Sequence, residues 1–192
     1  METSIRKHSD KHAEQVGNNL RSLTQRMHEA AETQPFAQDM IAGNISKKKY
    51  ATYLFNQHPQ YNLLETLAMV HNLLDVRIAP KIHADYGELW QEYEPNQPPL
   101  LPVVKEYMDH LMTIKDNPDK IMAHLYVRHM GDLSGGQMIA KKVPGSGTMY
   151  KFENVKEIKD RIRERCDDSM ADEANLCFDF ATKLFEQMNE VD

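Results

Sequence analysis

Three glycines inside one helical run, Gly131, Gly135 and Gly136, constrain this chain more than any other feature of its sequence. Asn117 at an N-cap position, Pro118 at the first helical position and Asp119 behind it start a helix, and Ile121, Met122, Leu125, Tyr126 and Leu133 recur at helical spacing. The pattern predicts a helix that runs to the break at Pro144-Gly-Ser-Gly147. Each interior glycine costs about 1 kcal/mol relative to alanine, so the trio sacrifices roughly 3 kcal/mol, a large part of a domain's net stability. Gly131 and Gly135 lie one above the other on a single face, with Asp132 and Gly136 on the neighbouring row. Such a bare face lets the backbone come against something flat. A close helix crossing, or a helix broken into a loop, satisfies the same residues. A phosphate cradle does not, because the lysine and serine or threonine that close a P-loop are missing.

The remaining punctuation is helical throughout. Segments 18–33, 36–41, 46–70, 79–94, 103–114, 154–166 and 171–188 read as further helices, with Ser46 as an N-cap and Pro59 as an expected bend. Pro95, Pro98, Pro99 and Pro102 mark a surface connection too short to separate domains. No strand alternation, repeat or low-complexity stretch interrupts this. The expected fold is therefore an all-α bundle, one domain over residues 1–192 with a polar N-terminal extension at 1–17. Within that extension, His8 and His12 stand at i, i+4, a spacing that suits a metal but is more common on a solvated helix.

Charge and cysteine usage narrow the function classes. A formal charge of −6 excludes general nucleic-acid binding, which rests on a basic surface. Cys166 and Cys177 form no CxxC pair, which points to free thiols in a reducing compartment. No apolar run reaches the roughly 18 to 20 residues of a membrane span, and the first ten residues lack a secretory core. A cytoplasmic protein without membrane association is expected.

The run Tyr126-Val-Arg-His-Met-Gly-Asp-Leu-Ser-Gly-Gly-Gln137 resembles the distal-helix signature of heme oxygenases, in the form found in soluble bacterial and cyanobacterial members. The resemblance extends over roughly residues 18 to 190. It implies a heme-oxygenase-like bundle with heme b, at once substrate and cofactor, between a proximal helix and a kinked distal helix. The implied reaction is cleavage of heme to biliverdin, carbon monoxide and ferrous iron, using O2 and external electrons, with the α-meso carbon as the expected position. With no flavin or nicotinamide fingerprint present, electrons come from a partner, ferredoxin by expectation, and a bilin reductase is a candidate downstream.

The same resemblance assigns residues. His28, in His28-Glu-Ala-Ala-Glu32, is the expected axial ligand of the heme iron, with Glu32 at i+4 fixing the ring. On the distal side, Asp132 organises water beside bound oxygen, Gly131 and Gly135 supply flat backbone, and Tyr61 and Arg128 complete the catalytic set. Tyr126, Ser134, Phe178 and Phe185 are expected at the heme, and Arg21, Lys159 and Arg163 at its propionates. Three positions depart from the family: Gln25 replaces a basic residue, leaving Arg26 as the nearest cation, Ile162 replaces a tyrosine, and Ala181 replaces an asparagine. Without the resemblance, each of these residues has an ordinary reading as core aromatic, packed histidine or solvated charge. A heme carrier or sensor on the same fold stays open. A di-iron bundle lacks its Glu-x-x-His pairs, and a thiaminase-like hydrolase lacks a histidine base beside either cysteine.

Overall fold

The structure, a computed structural model, describes residues 19–93 and 96–191, so the His8/His12 pair and the N-terminal extension lie outside the described residues. Among the described residues there are eight α-helices: α1 (19–32), α2 (Pro35–Ala42), α3 (Lys47–Val70), α4 (Ala79–Leu89), α5 (Pro102–Thr113), α6 (Pro118–Ile139), α7 (Val155–Glu164) and α8 (Ala171–Asn189). Short 3-10 turns follow at Trp90–Tyr93, Thr148–Tyr150 and Asp168–Met170. Among the described residues there is no strand.

The helix starts are written in side-chain chemistry. Ser46 accepts from the Lys49 N–H and Asn117 from the Lys120 N–H, while proline occupies the first turn of α2, α4, α5 and α6. Gly43, at φ 77°, closes α2 in the left-handed conformation, its N–H reaching back to Asp39 and Met40. Pro59 sits inside α3 without ending it. Helix α4 is capped from a distance: the buried Glu65 carboxylate on α3 accepts from the Ile78 N–H at 2.5 Å and the Ala79 N–H at 3.2 Å.

Packing follows from the apolar stripes. Helix α3 lies against α4, α5 and α6, while α8 packs on α2, α5 and α6. One hydrophobic cluster, including Leu54, Leu64, Tyr107, Leu111, Ile121, Leu125 and Leu184, fills the space between them. No helix among the described residues is long and apolar enough to cross a membrane.

Helix α6 differs from the sequence expectation at its end and settles the question left open by the glycines. It stops at Ile139, not at Pro144, because the chain turns through 140–147 with Gly145 (φ 77°) and Gly147 (φ 60°) in the left-handed region. The turn delivers Thr148–Tyr150 back onto α6, where the buried Asp85 of α4 accepts from the Thr148 and Met149 N–H groups at 2.9 and 2.8 Å. Helix α6 itself remains continuous through all three glycines, so the broken-helix alternative does not hold.

Candidate functional site

The glycines of α6 serve two different purposes. A Cβ at Gly136 would lie 3.0 Å from the Tyr150 side chain, so this glycine permits the close approach of the 148–150 turn. A Cβ at Gly131 would meet nothing within 4 Å, and one at Gly135 would touch only Ile139 on its own helix, at 3.9 Å. Among the described residues no element crosses that face, and Gly131 and Ser134 are exposed. The bare backbone borders open space, the arrangement required by a flat ligand supplied from outside the chain. The exposed Met138 carries the apolar surface onward at the C-terminal end of the same helix.

Asp132 stands at the edge of this face, half buried. The Tyr61 hydroxyl of α3 donates to its Oδ2 at 2.5 Å. Burial pushes the Asp132 carboxyl up to about 6, while the Tyr61 hydrogen bond and the charges of His129 and Arg128 draw it back down and Glu65 opposes them. A carboxyl poised there holds or releases a proton near neutral pH, the property a general acid or a water-organising group needs.

Arg128 lies one turn before Asp132 and is buried. It makes no ion pair with a carboxylate among the described residues. Its guanidinium donates to the side-chain oxygens of Gln57 at 3.1 Å and Gln60 at 2.8 Å on α3, and lies over the rings of Tyr107 (4.2 Å) and Tyr61 (5.6 Å). Its Nε has no partner. Gln57 in turn donates to the Tyr53 hydroxyl at 2.6 Å. The cation is thus held by amide dipoles and aromatic faces that leave its positive field uncancelled beside Asp132 and Tyr61.

The expected proximal residue, His28, is partly exposed on α1, with Nε2 2.9 Å from Glu32 Oε1 and its ring 5.4 Å from that of Phe178 on α8. The predicted i+4 carboxylate contact is therefore present, and Nδ1 has no protein partner among the described residues. Which of the two nitrogens faces the carboxylate is a matter of ring orientation. Phe185, farther along α8, packs at 5.7 Å against Phe36, whose ring also meets Tyr53.

The basic residues divide. Tyr126 is buried, which raises its phenol, while Thr24 hydrogen bonding and the nearby charges of Arg21 and Arg163 act in the opposite sense. Arg21 of α1 and Arg163 of α7 therefore share the neighbourhood of one tyrosine, although no sequence spacing connects them. Arg163 is partly committed to Asp160 at 3.2 Å, whereas Lys159 has no ion-pair partner among the described residues. Gln25, at the position of a missing cation, binds Glu29 at 2.8 Å, and Ile162 is fully buried.

Sequence reasoning missed Gln57, Gln60, Tyr107 and Tyr150. The two glutamines had a signal: with Asn56 they place buried amides amid the apolar positions of α3. Tyr150 had none, since its role is set by a turn held from α4.

Comparison with known proteins follows the geometry. The sequence profile of the heme oxygenase family matches residues 14–187. Heme oxygenase of Pyropia yezoensis is 29% identical, the match covering 91% of this chain and 86% of that protein. Heme oxygenase 2 of Macaca fascicularis is 28% identical over 89% of this chain, and the match spans 64% of the macaque protein's length. The crystal structure of heme oxygenase-1 from the cyanobacterium Synechocystis in complex with heme superposes with a TM-score of 0.77 at 22% identity, covering 91% of this chain and 92% of that one. Heme oxygenase-2 from Synechocystis, in complex with heme and NO, gives a TM-score of 0.76 at 25% identity, covering 92% and 86%. With an open glycine face, a poised carboxyl beside it and a family match over most of its length, the chain belongs to the heme oxygenase family.

Proposed function

We propose that the chain cleaves heme to biliverdin, carbon monoxide and ferrous iron, opening the ring at the α-meso carbon with O2 and externally supplied electrons. The observation that carries this reading is the pair of glycines, Gly131 and Gly135, whose Cβ positions border open space beside the Tyr61–Asp132 hydrogen bond. When bound, heme supplies the oxygen-activating iron and the carbon skeleton that is opened.

The chain's own residues supply the rest. His28 would hold the heme iron, offering one imidazole nitrogen while Glu32 holds the other and fixes the ring. Gly131 and Gly135 admit the macrocycle against main chain, and Ser134 and Tyr126 border it. Phe178, which already touches the His28 ring, and Phe185 form its apolar wall. Arg21, Lys159 and Arg163 receive the propionates. Asp132 holds a proton at its carboxyl and orders water over the open face. Tyr61 fixes the carboxyl rotamer, and Arg128 biases Asp132 towards its ionised form. Hydrogen bonds ordered from this position would favour oxidation of the ring carbon over loss of the reactive oxygen as water.

A ferredoxin is the proposed electron donor and a bilin reductase a downstream partner. The protein acts as one domain, a reading supported by its single hydrophobic cluster, and works in the cytoplasm, where its two buried, unpaired cysteines stay reduced.

The test is direct. Incubated with hemin and a reductant under air, the protein should lose its Soret band as a biliverdin spectrum grows. A stable ferrous heme complex that never yields biliverdin would instead identify a carrier or sensor. Replacing His28 by Ala should alter the ferric and ferrous heme spectra, and unchanged spectra would remove it as the ligand.

A further inference from the structure

Away from the glycine face, three helices bring together a second set of ligating side chains. His110 of α5 and His124 of α6 both direct Nε2 at one oxygen of Glu173 on α8, at 2.5 and 2.8 Å. The three ligand atoms lie within 4.8 Å of one another. His124 is fully buried, Glu173 is 12% exposed and His110 20%. The Glu173 carboxylate therefore faces two imidazoles on Oε1, while Oε2 has no partner among the described residues. We propose that His110, His124 and Glu173 form a binding site for one divalent transition-metal ion of the zinc class, separate from the heme site.

The donor set is two neutral imidazoles and a carboxylate, a combination suited to zinc, with a fourth position open. A tetrahedral ion with bonds of ~2.0–2.1 Å separates neighbouring donors by about 3.3 Å, so the two histidine-carboxylate distances need to grow by under about 1 Å. Side-chain torsion is sufficient for that. Metal binding needs the lone pair of each Nε2, which moves the ring hydrogen to Nδ1. The surroundings accept this change. The Tyr107 hydroxyl lies 2.9 Å from His124 Nδ1 and 3.9 Å from Cys177 Sγ, so it can turn from donor to acceptor at the imidazole and keep a second partner at the thiol. This is the outer contact that orients metal-bound histidines. The partly exposed His110 sits at the rim, giving the ion a way in.

Other histidine groupings lack these features. His28 and Glu32 are only a pair on one exposed helix face, and His58 and His83, with ring centroids 5.4 Å apart, have no carboxylate between them. The proposed site instead ties α5, α6 and α8 at one level, so occupancy cross-links the helix that carries Asp132 to the helix that carries Phe178.

Cobalt(II) titration of the heme-free full chain tests this, with equilibrium dialysis for stoichiometry and visible d–d bands for coordination. The wild type should bind one cobalt more than the Glu173→Gln variant, with the intense bands of four- or five-coordination. His110→Ala, at the partly exposed rim, should lose the same ion. Tyr107→Phe should weaken binding about 10-fold by releasing His124 Nδ1. Circular dichroism checks that each variant retains its helices. If Glu173→Gln fails to fold, His110→Ala carries the test alone. Equal stoichiometry and spectra in wild type and His110→Ala, or no tightly bound cobalt in the wild type, would overturn the proposal.

Discussion

The two halves of α6 solve opposite problems with the same backbone. From Ile121 to His129 the helix is buried on nearly every side, and its polar residues find partners inside the protein: His124 in Tyr107 and Glu173, Arg128 in two glutamines, His129 in Glu65 at 3.1 Å, with only Arg128 Nε and His129 Nδ1 left over among the described residues. At Gly131 and Gly135 side chains are shed and the main chain borders open space, while Leu133 between them stays buried in the core. The first half is costly to alter because it is packed, and the second tolerates change in the fold while being costly to function. The contrast teaches that a functional surface on a helix is stabilised by its neighbouring turns more than by its own contacts.

Arg128 gives the largest way to break the contrast. Arg128→Ala leaves the Gln60 oxygen without its donor, removes one of two donors at the Gln57 oxygen and opens a cavity beside Tyr107, so heme-free protein should lose about 3 kcal/mol or more in denaturant unfolding. A loss below 1 kcal/mol would mean that the buried network contributes little to the fold.

Asp132 sharpens it through pH. Its folded-state carboxyl is raised to about 6 from an ordinary 3.8, so the folded chain binds the proton more tightly than the unfolded chain. Above pH 6 the ionised carboxylate lowers stability, by up to about 3 kcal/mol for a shift of roughly two units. As pH falls from 6 towards 4 that deficit is recovered. Asp132→Asn should therefore be more stable than wild type at pH 8, with the gap closing by pH 4. It should also keep heme but divert turnover from biliverdin to peroxidase-like products. Equal pH profiles would show that Asp132 is not held in a raised state, and unaltered biliverdin formation would remove its catalytic role.

Tyr61→Phe is a gentler change. Loss of its hydrogen bond should lower stability by about 1 kcal/mol and move the Asp132 midpoint upward, since the Tyr61 contact lowers that carboxyl. Titration of the Asp132 side chain by NMR in both proteins checks the direction.

The smallest effect on stability is the sharpest in meaning. Gly131→Ala meets nothing and should stabilise heme-free protein by up to about 1 kcal/mol while weakening heme binding or turnover. Gly136→Ala brings a methyl to 3.0 Å from Tyr150 and should stabilise less, or destabilise. If the two alanines behave alike in both unfolding and heme titration, the distinction between open and packed glycines is wrong.

Much of the frame was readable because helix starts are local. Ser46, Asn117 and the prolines at 80 and 118 announce themselves within a few residues, and the structure places helices there, while Pro102, expected in the connection, opens α5. Gly131 to Gly136 announced a missing face, yet only the fold separates Gly136, packed on Tyr150, from Gly131 and Gly135, packed on nothing. The end of α6 was misread because the turn after it is held by Asp85, whose bonds to Thr148 and Met149 join residues 63 and 64 apart in sequence. The same distance hid Gln57 and Gln60, which meet Arg128 only after α3 and α6 pack. Arg21 and Arg163 meet around Tyr126 by the same kind of assembly.

Glu65 gives α6 a mechanical character. One buried carboxylate caps α4, pairs with the partly exposed Arg77 at 3.5 Å and grips the buried His129 at 3.1 Å. That point is a pivot pin: the helix is clamped three residues before Asp132, which sets the acid's position from the buried side of the fold.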